Sequence, residues 1–222
     1  MARNEKNLSR ALAAEFIGTF MLVFAGTGAV VTNAMHEGAL GHFGISLVFG
    51  LVIMVSIFAF GHISGGHFNP AVTLGFTLTN NFPLKRLLPY WLAQFTGAII
   101  GSFAVAHLIG FAGLGVTQPS IPVTSALIVE ALLTFLLMIV IMAVATDSRA
   151  VGKAAAVAVG GTIALAALLG GPLTGASLNP ARSLAPALVA GNFSFLYIYF
   201  IGPLFGAAVG AIVYKWIGRT NE

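Results

Sequence analysis

Apolar residues dominate six long stretches of the chain, and polar residues collect between them. The stretches run from Ala11 to Thr32, Phe43 to Phe60, Leu87 to Phe111, Val123 to Ala145, Lys153 to Leu169 and Phe193 to Trp216. A bilayer core of roughly 30 Å needs about 20 helical residues, so each stretch reads as a membrane-spanning helix. Two further apolar pieces, Asn69 to about Leu78 and Asn179 to about Leu188, are shorter. At about 1.5 Å per residue each covers roughly 15 Å, half a bilayer, and reads as a re-entrant half-helix. The glycine-rich segments ahead of them, His62 to Phe68 and Gly170 to Leu178, then carry non-helical backbone at membrane depth. Such backbone survives only where protein buries it or a water-filled cavity faces it. The expected fold is an all-α membrane protein with six transmembrane helices and two half-helices around a wet path, forming one channel domain over residues 1–222.

The chain also repeats itself. His62-Ile-Ser-Gly-Gly-His-Phe-Asn69-Pro70-Ala71 in one half is answered by Pro172-Leu-Thr-Gly-Ala-Ser-Leu-Asn179-Pro180-Ala181 in the other, 110 positions on (179 − 69). Ala11, Glu15, Thr19, Phe20 and Leu22 in span one match Ala126, Glu130, Thr134, Phe135 and Leu137 in span four, offset by 115 (130 − 15). Gly97 and Gly101 match Gly206 and Gly210, offset by 109 (206 − 97). The first repeat covers about 8–111 and the second about 123–218. Each half has three spans, an odd number, so two copies in sequence lie inverted across the membrane, as in proteins built on inverted repeats.

Composition agrees. Of 222 residues, 58% are hydrophobic and only 7% are charged, far below the roughly 25% of a soluble domain. The first apolar run exceeds the roughly 7 to 15 residue core of a secretory signal, so it reads as a retained span. The formal charge of +4 needs no nucleic-acid partner. Arg3, Lys6, Arg10, Lys85, Arg86, Arg149, Lys153, Lys215 and Arg219 all fall on one side of the six-span arrangement, while the connectors Asn33 to Gly44 and Phe111 to Thr124 contain no Lys or Arg. The positive-inside bias places both termini in the cytoplasm of a multi-pass cell-membrane protein. Arg182, on the opposite side and inside the second motif, is the exception. There is no cysteine, and the five histidines lack metal-ligand spacing, so neither metal nor cofactor is expected. His36, His42 and His107, near helix ends, read as interfacial.

Asn-Pro starts a helix, Asn as the cap and Pro at the first helical position. If the Asn oxygen accepts from its own helix, the amide NH2 is left as a free donor. Asn69 and Asn179 would each present that donor at the midplane, backed by the positive end of a helix dipole. Two such ends meeting head to head favour an oxygen lone pair and repel cations. A permeating water would turn its oxygen to both and relay no proton.

At this point the residues resemble the aquaporin (major intrinsic protein) family, over nearly the whole chain. Gly61-His-Ile-Ser-Gly-Gly-His-Phe-Asn-Pro-Ala-Val-Thr73 and Ser177-Leu-Asn-Pro-Ala-Arg-Ser183 are similar to its two signature loops. The resemblance implies a right-handed bundle, one pore per subunit and a homotetramer. It also implies an outer four-residue filter, here Phe49, Ala167, Ala176 and Arg182, and an acceptor ladder from the carbonyls of Gly65, Gly66, His67, Gly175, Ala176 and Ser177. Arg182 would donate to permeating oxygens and add a fixed positive charge. Its alternative reading is snorkelling to the outer interface.

The chain departs from the water-specific pattern at Ala167, where such members usually carry His; a methyl there widens the filter. Its second loop is also similar to the nodulin-26-like branch, associated with glycerol and neutral metalloid acids. Ser183, Ala187 and Tyr199-Phe200 pull back toward water, since glycerol facilitators typically have Asp, Lys and Pro-aliphatic there. The reading is a passive, proton-excluding water channel with small neutral solutes as a further cargo; the alternative is a facilitator of glycerol, metalloid acid, urea or ammonia. An ion-coupled carrier with inverted repeats would need midplane ligands, and only Glu15 and Glu130 offer any. Their symmetric placement and the resemblance both favour a structural role over proton relay, accepting hydrogen bonds from the backbone of the loop each supports. No constellation supports an enzyme.

Overall fold

The computed structural model describes residues 2–147, 149–150 and 154–218, with side chains from Leu8 onward. Lys153 and Arg219, and the side chains of Arg3 and Lys6, lie outside the described residues. Among the described residues the elements are eight α-helices with no strand: α1 (Ala2–Met35), α2 (Gly41–Ser64), α3 (Pro70–Leu78), α4 (Leu87–Leu108, after a 3-10 turn at Leu84–Arg86), α5 (Val123–Thr146), α6 (Ala155–Thr174), α7 (Pro180–Ala190) and α8 (Ile198–Ile217). Six are long and apolar enough to cross a bilayer, while α3 and α7, with 9 and 11 residues, are the two half-helices.

The usual polarity of a globular protein is inverted. Leu51, Phe58, Leu92, Phe103, Leu132, Leu165 and Phe205 face outward, whereas Glu15, Gln94, Glu130 and Arg182 are buried. This is the arrangement that lipid, rather than water, selects for.

Close helix contact is written in glycine. A Cβ on Gly97 of α4 would stand 2.2 Å from the Phe16 carbonyl oxygen of α1, and one on Gly101 would stand 2.9 Å from that of Phe20. The second half copies this crossing: Gly206 and Gly210 of α8 would meet the carbonyls of Ala131 and Phe135 in α5 at 2.1 and 2.9 Å. Gly50 of α2 and Gly160 of α6 join the halves in the same way, each Cβ falling 2.5 to 2.6 Å from the other's carbonyl oxygen. These are backbone contacts, which cannot rotate away, and small residues are what permit them in a membrane. Gly206→Ala is expected to cost about 1–3 kcal/mol by forcing α5 and α8 apart. A lowered thermal midpoint of the purified protein in detergent would register it, whereas an unchanged midpoint would show that the crossing relaxes freely.

The half-helices change partners. The N-terminal α3 packs mainly on α8, and α7 packs on α4, so each half of the chain holds the other's re-entrant segment.

The helix ends differ from the sequence expectation. The second and fifth spans were expected to stop at Phe60 and Leu169, but α2 runs to Ser64 and α6 to Thr174. Pro172 lies inside α6 although proline normally breaks a helix. Its missing N–H frees the Leu168 carbonyl, and the ring of His42 hydrogen-bonds it with Nε2 at 2.8 Å. His42 is thus a helix brace as well as an exposed residue near a helix end. The non-helical approach shrinks to 65–69 and 175–179, each opened by a left-handed glycine cap, Gly65 at φ +94° and Gly175 at φ +85°. The last span begins at Ile198 rather than Phe193, because residues 194–197 form turns.

Candidate functional site

The two half-helices point their N-termini at each other. Asn69 is extended (φ −156°) and its side-chain oxygen accepts from Ala71 N at 2.8 Å; that of Asn179 (φ −151°) accepts from Ala181 N at 3.0 Å and Arg182 N at 3.3 Å. Pro70 and Pro180 fill the first helical positions, ahead of Ala71 and Ala181. With the oxygens occupied, each amide nitrogen reaches across the pseudo-symmetry axis. Asn69 Nδ2 donates to Leu178 O at 2.8 Å, and Asn179 Nδ2 donates to Phe68 O at 2.9 Å. The amides were expected to be wholly free; half their donor capacity instead ties the two loops together. Each retains one N–H, and both asparagines line a cavity.

The loops that precede them are held from behind. Glu15 accepts from His67 N (2.9 Å), Phe68 N (2.7 Å), Ser64 Oγ (2.7 Å) and Gln94 Nε2 (2.8 Å). Glu130 accepts from Ser177 N (2.9 Å), Leu178 N (2.9 Å) and Thr174 Oγ1 (2.7 Å). Both carboxylates are fully buried, and neither lines the cavity. Every partner is a donor, which suits an acceptor-only group. The loops they hold alternate into left-handed backbone, at Gly65, Gly66 and Phe68 and again at Gly175, Ala176 and Leu178.

Two tyrosines complete the scaffold. Tyr90 OH donates to Ser64 O at 2.9 Å, and Tyr199 OH donates to Thr174 O at 2.6 Å. Sequence reasoning missed Tyr90 and took Tyr199 as a residue pulling toward water and, with Tyr197, as an anchor for its span. Their offset of 109 (199 − 90) is the one that related the glycine pairs, and it was the available signal.

The cavity, about 350 Å³, lies between the loops. Phe49, Ala167, Ala176 and Arg182 line one end, Asn69 and Asn179 the middle, and His62, Val144 and Ala155 the other end. Of the ladder residues, Gly65, Gly66, His67, Ala176 and Ser177 line it; Gly175 is not among the lining residues. The His67 ring turns away into a cluster with Phe76, Phe82 and Tyr90, its Nδ1 3.1 Å from Thr73 Oγ1.

Arg182 is 4% exposed, with Nη1 donating to Gly115 O at 2.7 Å and its guanidinium carbon 5.1 Å from the centroid of the Phe49 ring. Snorkelling to the interface is therefore overturned: the carbonyl and the ring hold the guanidinium inside the bundle, at the cavity wall. Phe49 is itself seated where Gly26 leaves room, since a Cβ there would fall 2.2 Å from the ring.

Comparison with known proteins points the same way. Residues 2–214 match the family model described as major intrinsic protein. Aquaporin NIP1-1 of Zea mays is 46% identical over 216 residues, 95% of this chain and 76% of that protein. Nodulin-26 of Glycine max is 44% identical over 216 residues, 95% of this chain and 79% of that one. The X-ray structure of the aquaglyceroporin from Plasmodium falciparum superposes with a TM-score of 0.82 at 29% identity, covering 94% of this chain and 96% of that chain. With paired half-helices meeting in a cavity through six spans, and these likenesses over nearly its whole length, the chain belongs to the major intrinsic protein family and is one of its multi-pass membrane channels.

Proposed function

We propose that this channel passes water and small neutral solutes, and excludes protons. The observation that carries the reading is the meeting of two helix N-termini at Asn69 and Asn179, in a cavity walled otherwise mainly by apolar side chains. A water at that point is offered two N–H donors and two positive dipole ends, so it accepts twice and cannot hand a proton on. Gly65, Gly66, His67, Ala176 and Ser177 supply the acceptors that replace its lost hydrogen bonds along the path; Phe49, Ala167, Ala176 and Arg182 form the filter. The full engagement of Glu15 and Glu130 by donors behind the loops favours this over an ion-coupled carrier. The positive-inside bias supports cytoplasmic termini, and the family resemblance supports a homotetramer.

The test is stopped-flow light scattering on proteoliposomes challenged with water, glycerol, urea and ammonia. Water and at least one solute should cross faster than in empty vesicles, with a low activation energy and no decay of an imposed pH gradient. Saturable, ion-dependent flux would instead identify a carrier.

The breadth of the solute range turns on Ala167. A methyl opposite the small Ala176 leaves space that an imidazole would fill. Ala167→His is expected to lower glycerol and urea flux severalfold while water flux persists, read in the same vesicles. Unchanged glycerol and urea flux with persisting water flux would remove the wide-filter argument.

A further inference from the structure

The two halves hold their pore loops through the same pair of positions but not through the same third partner. In each half the residue two before the Asn is bonded to the residue four after it. His67 Nδ1 and Thr73 Oγ1 are 3.1 Å apart, and the Ser177 and Ser183 hydroxyls 2.6 Å. In the first half the third member is Gln94 of α4, whose Nε2 donates to Thr73 Oγ1 at 2.9 Å. The 109 offset that pairs Gly97 with Gly206 pairs Gln94 with Pro203, which has no donor to give. The second half recruits its third member from outside the helices: Thr117 Oγ1, in the connector between α4 and α5, donates to Ser183 Oγ at 2.8 Å.

Three hydroxyls thus stand in series. Thr117 donates to Ser183, Ser183 to Ser177, and Ser177 to Asn179 O at 2.9 Å. Each has a single proton to give, so this order leaves the Ser177 proton for the backbone of the pore asparagine. None of the three is more than 6% exposed.

The connector itself is seated in the bundle. Leu114 is fully buried with Val31 and Val105, Ser120 N donates to Leu173 O at 2.9 Å, and the Thr117 methyl lies 3.2 Å from where a Cβ on Gly175 would stand.

We propose that Thr117 is a positioning residue for solute selection. It acts through Ser183 and Ser177 on the backbone of residues 176–179, which faces the cavity beside Ala167 and Arg182. The proposal rests on reading the protein as a water and neutral-solute channel. The first half locks its loop to a membrane-embedded helix. The second also locks the filter side of the pore to a connector between spans: Arg182 and Leu173 meet the connector backbone at Gly115 and Ser120, and Thr117 is its side-chain link to the loop backbone.

Thr117→Val keeps the shape and the methyl packing but deletes the hydroxyl. The expected result in proteoliposomes is retained water flux with a roughly fivefold rise in the glycerol-to-water permeability ratio, the factor corresponding to one ordinary net hydrogen bond of about 1 kcal/mol. Thr117→Ser should restore the wild-type ratio. Ser183→Ala, which cuts the same series, should shift the ratio the same way, and the double variant should do no more than Ser183→Ala alone. An unchanged ratio in Thr117→Val with water flux retained overturns the proposal, as do additive effects in the double variant. Should Thr117→Val fail to reconstitute, an unchanged ratio in Ser183→Ala overturns it equally. A wild-type protein that conducts neither water nor glycerol is a different outcome and overturns the channel reading itself.

Discussion

Glu130→Leu is expected to abolish water flux and to lower stability by several kcal/mol, and Glu15→Leu should do the same in the other half. Each substitution leaves buried donors without an acceptor. For Glu130 these are Ser177 N, Leu178 N and the Thr174 hydroxyl; for Glu15 they are His67 N, Phe68 N, the Ser64 hydroxyl and Gln94 Nε2. An orphaned buried donor costs about 1–3 kcal/mol, and in lipid no water arrives to relieve it. Leucine fills the space with no acceptor, so the loop of residues 175–178, left-handed at Gly175, Ala176 and Leu178, loses the anchor that holds it beside the cavity. Glu130→Gln keeps one oxygen and should fall between wild type and leucine. The measurements are thermal unfolding in detergent and stopped-flow water permeability. A Glu130→Leu protein with wild-type flux would show that the loop stands unaided.

Arg182→Val has the second largest expected effect, and it acts on selectivity rather than on assembly. Valine is what the first half carries at the equivalent position, Val72 (182 − 110), so the half-helix tolerates it. A unit charge about 4 Å from a permeating cation raises its energy by about 4 kcal/mol at an effective dielectric constant of about 20. Deleting the guanidinium removes that barrier and the donor that orients solute oxygens. The two facing helix ends remain. Urea and glycerol flux should rise severalfold, and a measurable proton or ammonium leak should appear in vesicles preloaded with a pH-sensitive dye. No change in either would place Arg182 outside the permeation path.

What the sequence revealed and what it concealed follow from the same cause. Spans, half-helices, glycine crossings and the buried glutamates are each present twice at nearly constant offsets, so chance was excluded by repetition rather than by any single motif. The end of α6 was misread because Gly170, Gly171 and Pro172 ordinarily break a helix, and nothing local reveals that His42, far away in the chain, satisfies the carbonyl that Pro172 leaves bare. The crossed Asn69–Leu178 and Asn179–Phe68 bonds were missed because they exist only once both halves are docked. Thr117 was invisible for a third reason: it has no repeat partner. Its role arises where the symmetry fails, at Pro203, and a search for matched pairs passes over such a place.

The exchange of half-helices between the halves bears on how the pore is made. Translation delivers α3 well before α8, the helix it packs on, which begins 120 positions after α3 ends (198 − 78). Until the ribosome has delivered α8, the early half inserts with a re-entrant stub whose main packing partner does not yet exist, supported within its own half by Glu15, Gln94 and Tyr90. Assembly of the complete conducting path is therefore a late event in biogenesis, because the first half-helix gains its main packing partner only when the last helix docks.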